Sequence, residues 1–446
     1  MNICVVGTGY VGLVSGICFA HIGHNVICVD KDTEKIKMLN SGRIPIYEKG
    51  LEELYLKNVE QGSIRFTNDL KEGVKNSDII FIAVGTPCLA DGNADLTAVE
   101  SVAKGIARFM NGYKIIVNKS TVPVGTQKWV SKIISENNEG NYNFDVVSNP
   151  EFLREGTAVY DTMNPDRIII GADNTYAAGV IAKLHEPFKA PIIITDPESA
   201  EMIKYASNAF LATKISFINE IANICERVGA DVQEVARGMG LDKRISDKFL
   251  GAGIGFGGAC FPKDLKAIIK IGEQVGYEFK IAKDVIEVNN NQKLKPIEKL
   301  EKALGFIKGK TIGILGLAFK PNTNDIREAP SLEIINRIQQ LGGKVKAYDP
   351  KAMESAKMVI KNVEFVNNPY EVVKKADAVI LVTEWEEFKS MDLKKVKNLM
   401  NTPVFIDGRN VFKPEEMIKM GFEYYCIGKK DYGFNVDFHL RVAVTK

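Results

Sequence analysis

The stretch Asn2-Ile3-Cys4-Val5-Val6-Gly7-Thr8-Gly9-Tyr10-Val11-Gly12 decides the fold. Its apolar, β-branched half predicts a strand, and its G-x-G-x-x-G half predicts a tight turn that begins a helix. In such a turn Gly7 permits the bend, Gly9 lets a pyrophosphate approach the backbone, and Gly12 lets the helix pack closely on the strand. The next predicted strand, Asn25–Val29, ends at Asp30, a carboxylate placed to accept hydrogen bonds from ribose hydroxyls. The stretch therefore predicts a β-α-β unit that binds a dinucleotide.

The same unit indicates which dinucleotide binds. The Asp30 carboxylate would repel a 2′-phosphate, which favours NAD over NADP, although Lys31 and Lys35 weaken that preference. We assign the cofactor to one set of residues in this unit: Gly7, Gly9, Tyr10, Val11, Gly12, Asp30 and Lys35. Two more turns follow predicted strands, at Gly85-Thr86-Pro87 and Lys119-Ser120-Thr121-Val122-Pro123. Because ligands of open α/β sheets collect at the carboxyl ends of strands, both turns are candidate parts of the site.

Strands and helices alternate in two regions of the chain, which predicts parallel sheets with helices on both faces. Up to about residue 195 the predicted strands are Asn2–Val6, Asn25–Val29, Asp78–Val84, Lys114–Asn118, Asp145–Val147 and Arg167–Ile170. From Lys310 strands and helices alternate again, with predicted strands at Thr311–Leu315, Lys344–Tyr348, Ala378–Val382, Val404–Ile406 and Tyr424–Ile427.

The region between them is helical. One stretch, Pro197–Gly229, is about 30 residues or roughly 45 Å long, which is more typical of a helix that bridges domains or forms a dimer interface. A glycine-dense segment follows, and then helical stretches at Lys263–Gly276 and Ile281–Leu304. The predicted fold class is therefore α/β: two doubly wound, Rossmann-like parallel-sheet domains joined by a central helical region with one long helix. We predict domain bounds at residues 1–195, 196–305 and 306–446.

Composition excludes several classes of function. The 446 residues carry 58 Lys and Arg against 56 Asp and Glu, a net charge of +2, so no global charge draws the protein to nucleic acid or to a membrane. The longest apolar run, Ile79–Val84, is far shorter than the roughly 20 residues of a membrane span, so we expect a soluble protein. Because the first residues resemble no signal peptide, we expect it in the cytoplasm. Seven cysteines without a CxxC pair and only four histidines argue against a disulfide framework, a metal site and a Ser-His-Asp triad.

The segment Gly257-Gly258-Ala259-Cys260-Phe261-Pro262-Lys263-Asp264 is the most suggestive of chemistry. The Pro-Lys-Asp sequence suits the first turn of a helix, which places Cys260 just before a helix N-terminus. That position, with Lys263 close by, favours the thiolate, so Cys260 is the candidate nucleophile. Cys88, in a loop, is its rival. Five other cysteines lie in apolar periodic segments and are expected to be buried: Cys4, Cys18, Cys28, Cys225 and Cys426.

Two pairs of polar residues have the spacing of neighbours on a helix face. Lys204 and Asn208 are four residues apart on the long helical stretch. Glu151 and Glu155 are also four apart and share a face if a helix starts after Pro150. Both carboxylates follow a predicted strand at its carboxyl end, and that position is the argument for them.

Together these segments resemble the UDP-glucose/GDP-mannose dehydrogenase family. The resemblance covers nearly the whole chain, and the blocks around Cys260 and from Lys320 to Arg327 are highly specific. The motifs occur in this order: GTGYVGLV from Gly7, STVPVGT from Ser120, NPEFLREG from Asn149, KYASNAFLATKISFINE from Lys204, FLGAGIGFGGACFPKD from Phe249 and LGLAFKPNTNDIREAPS from Leu315.

The resemblance implies a four-electron oxidation of the C6 alcohol of a nucleotide sugar, with UDP-glucose expected, to a carboxylate with two NAD in succession. It implies that Cys260 attacks the aldehyde intermediate to give a thiohemiacetal, whose oxidation leaves a thioester that water hydrolyses. Asp264, with a bound water, and Lys204 would handle protons and stabilise oxyanions, and Asn208 would help position the sugar.

The resemblance also extends the predicted site. Thr121 and Glu151 would serve the proton relay to the hydrolytic water. Implied cofactor contacts further include Thr86, Thr121, Glu155, Lys263 and Arg327. Implied substrate contacts are Glu151, Phe152, Leu153, Arg154, Glu155, Lys204, Asn208, Arg244, Phe249, Leu250, Gly251, Ala252, Gly253, Gly257 and Lys320. Arg244 would act from a neighbouring subunit, which agrees with the long helix as the core of a homodimer or higher oligomer.

Three alternatives stay open. A sibling nucleotide-sugar dehydrogenase would act on GDP-mannose or a UDP-amino sugar, because base and sugar preference depend on pocket shape. A one-step dehydrogenase of the β-hydroxyacid type would share the glycine turn and the Lys-xxx-Asn helix but needs no cysteine. A catalytically silent NAD-binding protein would produce no NADH with any nucleotide sugar.

Overall fold

The structure is a computed structural model that describes residues 1–431. The chain divides into two units: the first consists of Met1–Asn208 and Lys263–Glu278, and the second of Ala209–Pro262 and the chain from Phe279 onward.

Eight strands form the sheet of the first unit: β1 (Asn2–Val6), β2 (Asn25–Val29), β3 (Ile64–Thr67), β4 (Ile79–Ile82), β5 (Lys114–Asn118), β6 (Phe144–Ser148), β7 (Ile168–Gly171) and β8 (Ile192–Thr195). Their order across the sheet is β3-β2-β1-β4-β5-β6-β7-β8. Neighbours are parallel except β6 and β7, which pair antiparallel through Ser148 and Gly171. The chain reverses direction across the sheet between β1 and β4, and the adjacent strand ends are where doubly wound sheets bind ligands.

Helices cover both faces of this sheet, so the middle residues of its central strands β1, β4 and β5 are apolar and buried. They are α1 (Tyr10–His21), α2 (Thr33–Asn40), α3 (Leu51–Glu60), α4 (Leu70–Lys75), α5 (Thr97–Phe109), α6 (Thr126–Asn137), α7 (Ala158–Met163) and α8 (Thr175–His185), followed by a 3₁₀ turn at Glu186–Phe188. Leu13 of α1 and Ile181 of α8 belong to the core on one face. Ile106 of α5 and Val130 of α6 belong to the core on the other.

Five helices follow: α9 (Pro197–Val228), α10 (Val232–Gly240), α11 (Phe261–Gln274), α12 (Lys280–Lys293) and α13 (Lys295–Leu304). The predicted long helix is confirmed, since α9 runs for 32 residues. The stretch predicted as one helix from Ile281 to Leu304 is two helices. Pro296 lies in the first turn of α13, where its missing N–H costs no hydrogen bond but a continuous helix would lose one.

The second unit carries a sheet of six strands: β9 (Thr311–Leu315), β10 (Lys344–Tyr348), β11 (Val363–Phe365), β12 (Ala378–Leu381), β13 (Val404–Asp407) and β14 (Glu423–Cys426). All neighbours are parallel, in the order β11-β10-β9-β12-β13-β14. Its helices are α14 (Pro330–Gln340), α15 (Met353–Val359), α16 (Pro369–Val373), α17 (Glu386–Lys389), α18 (Leu393–Leu399) and α19 (Pro414–Lys419). The two doubly wound sheets and the helical middle confirm the predicted fold class.

Two local predictions were wrong or incomplete for physical reasons. The edge strands β3, β8 and β11 were not predicted. Arg65 in β3 and Glu364 in β11 interrupt a short apolar pattern. β8 was missed although Ile192–Thr195 is β-branched throughout; its Ile193 and Ile194 are 47% and 54% exposed. No helix starts after Pro150, because polar side chains bind the backbone there: Glu151 Oε2 accepts from Leu153 N at 2.9 Å. The Glu151 and Glu155 side chains therefore do not share a helix face. Within residues 1–431 no helix is long and apolar enough to cross a membrane.

A buried histidine in the first unit makes stability depend on pH. Burial, aided by the nearby charge of Lys119, lowers the pKa of His185 to about 3. In the unfolded chain the pKa of this histidine is near 6.5. Between about pH 3 and pH 6.5 the unfolded chain therefore binds a proton that the folded chain does not, so the free energy of unfolding falls as the pH falls. We expect the wild type to lose about 2 kcal/mol more than His185→Phe between pH 7 and pH 5. Urea unfolding at the two pH values measures this, and equal losses would contradict it.

Candidate active site

The glycine turn after β1 has one position open to a ligand. Gly7 has φ +104°, and a Cβ there would lie 2.4 Å from Ala83 O. A Cβ on Gly12 would lie 1.9 Å from Gly7 O, so packing within the protein requires both glycines. Around Gly9, by contrast, no described atom lies within 4 Å of the Cβ position, and α1 begins at the next residue. A phosphate can therefore approach the N-terminus of α1 through the space that a side chain at Gly9 would fill.

Asp30, at the end of β2, carries the charge that we predicted to select the dinucleotide. Its Oδ2 accepts from Thr8 N at 2.8 Å and Thr8 Oγ1 at 2.7 Å, and Lys35 Nζ lies 3.4 Å away. Burial acts to raise the pKa of Asp30, but hydrogen bonds from Asp32 and Thr8 and the charge of Lys35 outweigh it and lower the pKa. The residue is thus a carboxylate at neutral pH. The open Gly9 position and this charge fit NAD.

The turns after β4 and β5 are joined to each other. Thr86 Oγ1 donates to Thr121 O at 2.7 Å. Ser120, the residue before Thr121, makes a second link between the two turns: its Oγ donates to Val84 O at 2.7 Å. The structure therefore brings together two predicted site residues, Thr86 and Thr121, that lie 35 positions apart in sequence.

Lys204, on α9, forms a buried ion pair with Glu151. The distance from Nζ to Oε1 is 2.8 Å, and the two side chains are only 4% and 5% exposed. The ammonium also lies 5.4 Å from the ring centroid of Phe152, whose ring stacks on Arg167 at 3.7 Å. A buried, paired ammonium of this kind can stabilise an oxyanion strongly, because little water screens it.

Lys119 belongs with this pair, although sequence analysis gave it no role. Its Nζ donates to Asn149 Oδ1 at 2.9 Å. Burial lowers the pKa of Lys119 to about 8, with Glu151 opposing the shift and Lys204 adding to it. The position of Lys119 at the start of the turn after β5 was the signal for it in the sequence.

Asp264 links the first turn of α11 to α9. Asn208 Nδ2 donates to Asp264 Oδ2 at 2.6 Å. Lys263 Nζ contacts the other carboxylate oxygen, and Asp264 is 1% exposed. The predicted cofactor ligand Lys263 is thus paired with the predicted catalytic carboxylate.

The segment 151–158 is held by carboxylates from elsewhere in the first unit. Arg154 binds Asp161 through Nε at 3.0 Å and Nη2 at 2.6 Å, so its guanidinium is already engaged. The buried Glu48 accepts from Gly156 N at 2.7 Å and Ala158 N at 2.9 Å. Two predicted neighbours in this segment, Leu153 and Glu155, are half-buried.

Cys260 lies directly before α11, in the second unit. It is partly exposed, as is Cys88, whereas the other five cysteines are buried as predicted. Burial raises the pKa of two of them, Cys4 and Cys18, to about 12, which makes them poor nucleophiles. α11 starts at Phe261, so the backbone N–H groups and the positive end of the helix dipole follow Cys260 directly, as predicted.

The glycine-dense segment before Cys260 packs on the segment that follows β9. Gly258 N donates to Arg327 O at 2.8 Å, and a Cβ on Gly257 would lie 2.4 Å from Glu328 O. The Arg327 guanidinium binds Asp325 at 2.7 Å. Lys320 Nζ lies 5.4 Å from the ring of Phe319. The second unit therefore brings the predicted residues Gly257 and Arg327 together.

The remaining predicted residues occupy the preceding loop. Phe249 has φ +65°, and its ring lies 6.4 Å from that of Phe261. Leu250 is buried, and Gly251, Ala252 and Gly253 follow it. Arg244 is 89% exposed and pairs with Asp242 at 2.6 Å. Within the described residues no cluster of three or more His, Cys, Asp or Glu could hold a metal.

Three family models match the chain. They are the NAD binding domain of the UDP-glucose/GDP-mannose dehydrogenase family at residues 1–189, its central domain at 198–291 and its UDP binding domain at 313–414. The matches confirm NAD as the cofactor of a dehydrogenase and a nucleotide sugar as its class of substrate.

Individual relatives and structures agree. The UDP-glucose 6-dehydrogenase TuaD of Bacillus subtilis is 57% identical over 96% of this chain and 93% of its own. The UDP-glucose 6-dehydrogenase of Rhizobium meliloti is 47% identical over 97% of this chain and all of its own. The structure of a UDP-glucose dehydrogenase from Pyrobaculum islandicum superposes with a TM-score of 0.90 at 40% identity, covering 96% of this chain and 98% of that one. The chain belongs to the UDP-glucose/GDP-mannose dehydrogenase family.

Proposed function

We propose that the protein is a UDP-glucose 6-dehydrogenase, which converts UDP-glucose, two NAD and water into UDP-glucuronate, two NADH and protons. The observation that carries the proposal is the difference in sequence identity between two groups of relatives. Those at 57%, 50% and 47% identity are all named UDP-glucose 6-dehydrogenases, and each match covers at least 96% of this chain. The similar structures named for N-acetylated amino sugars are only 26% to 28% identical.

In the first oxidation the C6 alcohol becomes an aldehyde. When bound, NAD accepts two electrons from C6 as hydride in each oxidation. The hydroxyl proton leaves through water held by Asp264, and the Lys204 ammonium stabilises the alkoxide that forms. Asn208 holds the sugar, and its hydrogen bond to Asp264 fixes the position of both side chains.

In the second oxidation Cys260 adds to the aldehyde. The thiolate forms a C–S bond, the carbonyl oxygen takes the negative charge and then a proton, and a thiohemiacetal results. Removal of hydride leaves a thioester. Water attacks the thioester carbon, the C–S bond breaks, and the thiolate and the carboxylate product separate. Covalent attachment keeps the aldehyde from being released between the two oxidations.

Thr121 and Glu151 activate the hydrolytic water in this proposal. Support comes from the first unit, where the Thr86 hydroxyl holds Thr121 O. The ion pair with Lys204 holds Glu151 in place and couples the proton relay to the group that stabilises the oxyanion. Glu155, Lys263 and Arg327 serve the cofactor. Arg154, Lys320 and the loop from Phe249 to Gly253, with Gly257, serve the nucleotide sugar.

A second copy of the chain completes the proposed enzyme. Phe210, Phe217, Ile224 and Val228 of α9 recur at helical spacing and are 66%, 48%, 54% and 70% exposed. Such a stripe of large apolar residues is typical of a homo-oligomeric interface. The exposed Arg244 agrees with a role in a neighbouring subunit. Sedimentation should give a dimer or larger for the wild type and monomer for Phe210→Glu/Phe217→Glu; a monomeric wild type would contradict the proposal.

The proposal includes a cytoplasmic location, where cysteines stay reduced; all seven are free in the structure.

The substrate is tested by comparing nucleotide sugars at equal concentration with NAD. We expect kcat/KM for UDP-glucose to exceed the values for GDP-mannose and UDP-N-acetylmannosamine by about a hundredfold or more, because groups that do not fit leave buried polar atoms unpaired. A higher value for either rival would identify a sibling dehydrogenase. Activity that iodoacetamide does not inhibit would favour a one-step enzyme without a cysteine nucleophile, and NAD binding without any NADH would favour a silent protein.

A further inference from the structure

In the glycine-dense loop of the second unit, backbone N–H and C=O groups form hydrogen bonds with side-chain carboxamides. In a sheet, a neighbouring strand would provide such bonds. Asn289 Oδ1 accepts from Phe256 N at 2.7 Å, and Asn289 Nδ2 donates to Phe256 O at 3.0 Å. One carboxamide thus binds both polar groups of one residue, as the opposite residue of an antiparallel strand does in a hydrogen-bonded pair.

Gly253 is held in the same way by two carboxamides. Gly253 N donates to Asn219 Oδ1 at 2.9 Å, and Gln292 Nε2 donates to Gly253 O at 2.7 Å. Gln292 Oε1 accepts from Asn223 Nδ2 at 3.0 Å, which fixes the orientation of its amide. These donors and acceptors come from α9 and α12.

The carboxamides are buried, and the loop packs closely against one of them. Asn219, Asn289 and Gln292 are 0%, 3% and 1% exposed. A Cβ on Gly255 would lie 2.6 Å from Asn289 Oδ1, so only glycine fits beside this amide. A segment with glycines at 251, 253, 255, 257 and 258 has a high conformational entropy when free, and fixing it costs about 1–2 kcal/mol per residue.

We propose that Asn289 and Gln292 are positioning residues of the nucleotide-sugar site. Their carboxamides hold Gly253 and Phe256 in the conformation in which the loop binds the nucleotide, so that binding need not supply the ordering free energy. This inference rests on the proposed function, which gives Phe249–Gly253 and Gly257 to the substrate. Neither residue touches substrate in it; both act through the loop backbone.

Asn289→Asp removes one bond with almost no change of shape. A carboxylate can still accept from Phe256 N, but it cannot donate to Phe256 O and repels that oxygen. Asn290→Asp is the matched control, since Asn290 is the next residue of α12, undergoes the same chemical change and is exposed. Gln292→Met is the second variant, which keeps the length of the side chain and loses the bonds to Gly253 and Asn223.

For Asn289→Asp we expect KM for UDP-glucose and the Kd for UDP, by calorimetry, to rise about tenfold or more. KM for NAD and kcat at saturation should stay within about twofold of the wild-type values. General destabilisation would not weaken binding of the nucleotide sugar alone. Asn290→Asp should match the wild type. If Asn289→Asp does not fold, as judged by gel filtration and thermal melting, the same measurements on Gln292→Met decide.

Unchanged UDP affinity in a folded variant, or an equal rise in KM for NAD, would overturn the inference. The failure of the proposed function would look different: the wild type would bind UDP yet fail to oxidise UDP-glucose, and the effect of Asn289→Asp on UDP binding would still be measurable.

Discussion

Cys260→Ala should lower steady-state production of NADH from UDP-glucose by more than about a thousandfold, equivalent to about 4 kcal/mol of transition-state stabilisation. Alanine offers no atom that can add to the aldehyde, so no thiohemiacetal forms. Cys260→Ser should also fail at the second oxidation, because a serine hydroxyl is far less ionised than a thiol at the same site. Absorbance of NADH under saturating UDP-glucose measures both variants.

Cys88→Ala is the matched control, since Cys88 is the other cysteine that is not buried. It should retain activity within about twofold of the wild type. Calorimetric titration with UDP should show that Cys260→Ala still binds the nucleotide. The nucleophile would lie elsewhere if Cys260→Ala kept a substantial steady-state rate, and Cys88 would be the candidate if its variant lost activity.

Lys204→Ala should reduce both stability and activity. Loss of the ammonium leaves the Glu151 carboxylate buried without this partner, which costs about 3–5 kcal/mol at a buried ion pair. Activity should fall by about a hundredfold or more, because a donor aimed at a developing oxyanion is lost. Thermal melting and initial rates at a temperature where the variant is folded separate the two effects.

The double variant Lys204→Ala/Glu151→Gln distinguishes catalysis from folding. A neutral amide is less costly to bury than an unpaired carboxylate, so melting temperature should recover in part. Activity should not recover, since both the oxyanion partner and the relay carboxylate are missing. Recovery of activity together with stability would show that Lys204 has only a structural role.

The sequence predicted the parts of the fold that depend on local pattern. The glycine turn after β1 follows from its spacing, the central strands follow from runs of apolar, β-branched residues, and α9 follows from apolar residues that recur at helical spacing. An edge strand such as β11 is hard to predict, because Glu364 interrupts its short apolar pattern. β8 was missed although the β-branched run Ile192–Thr195 is typical of a strand. The missing helix after Pro150 depends on side chains such as Glu151 that bind nearby backbone, and helix spacing does not report them.

The site was less predictable, because its contacts join residues that are distant in sequence. The pairs Lys204–Glu151 and Asn208–Asp264 are 53 and 56 positions apart, so the family motifs nominated the residues and only the fold brings each pair together. No sequence pattern indicated a role for Asn289, because a run of three asparagines on a helix is typical of a solvent-exposed face. Its role emerges only from the backbone atoms that its amide contacts.

The number of NADH formed per UDP-glucose consumed tests the central claim most directly. With limiting UDP-glucose and excess NAD, the account predicts two NADH per nucleotide sugar and a product with a carboxylate at C6, because Cys260 retains the aldehyde for a second oxidation. A ratio of one, with an aldehyde product, would contradict it.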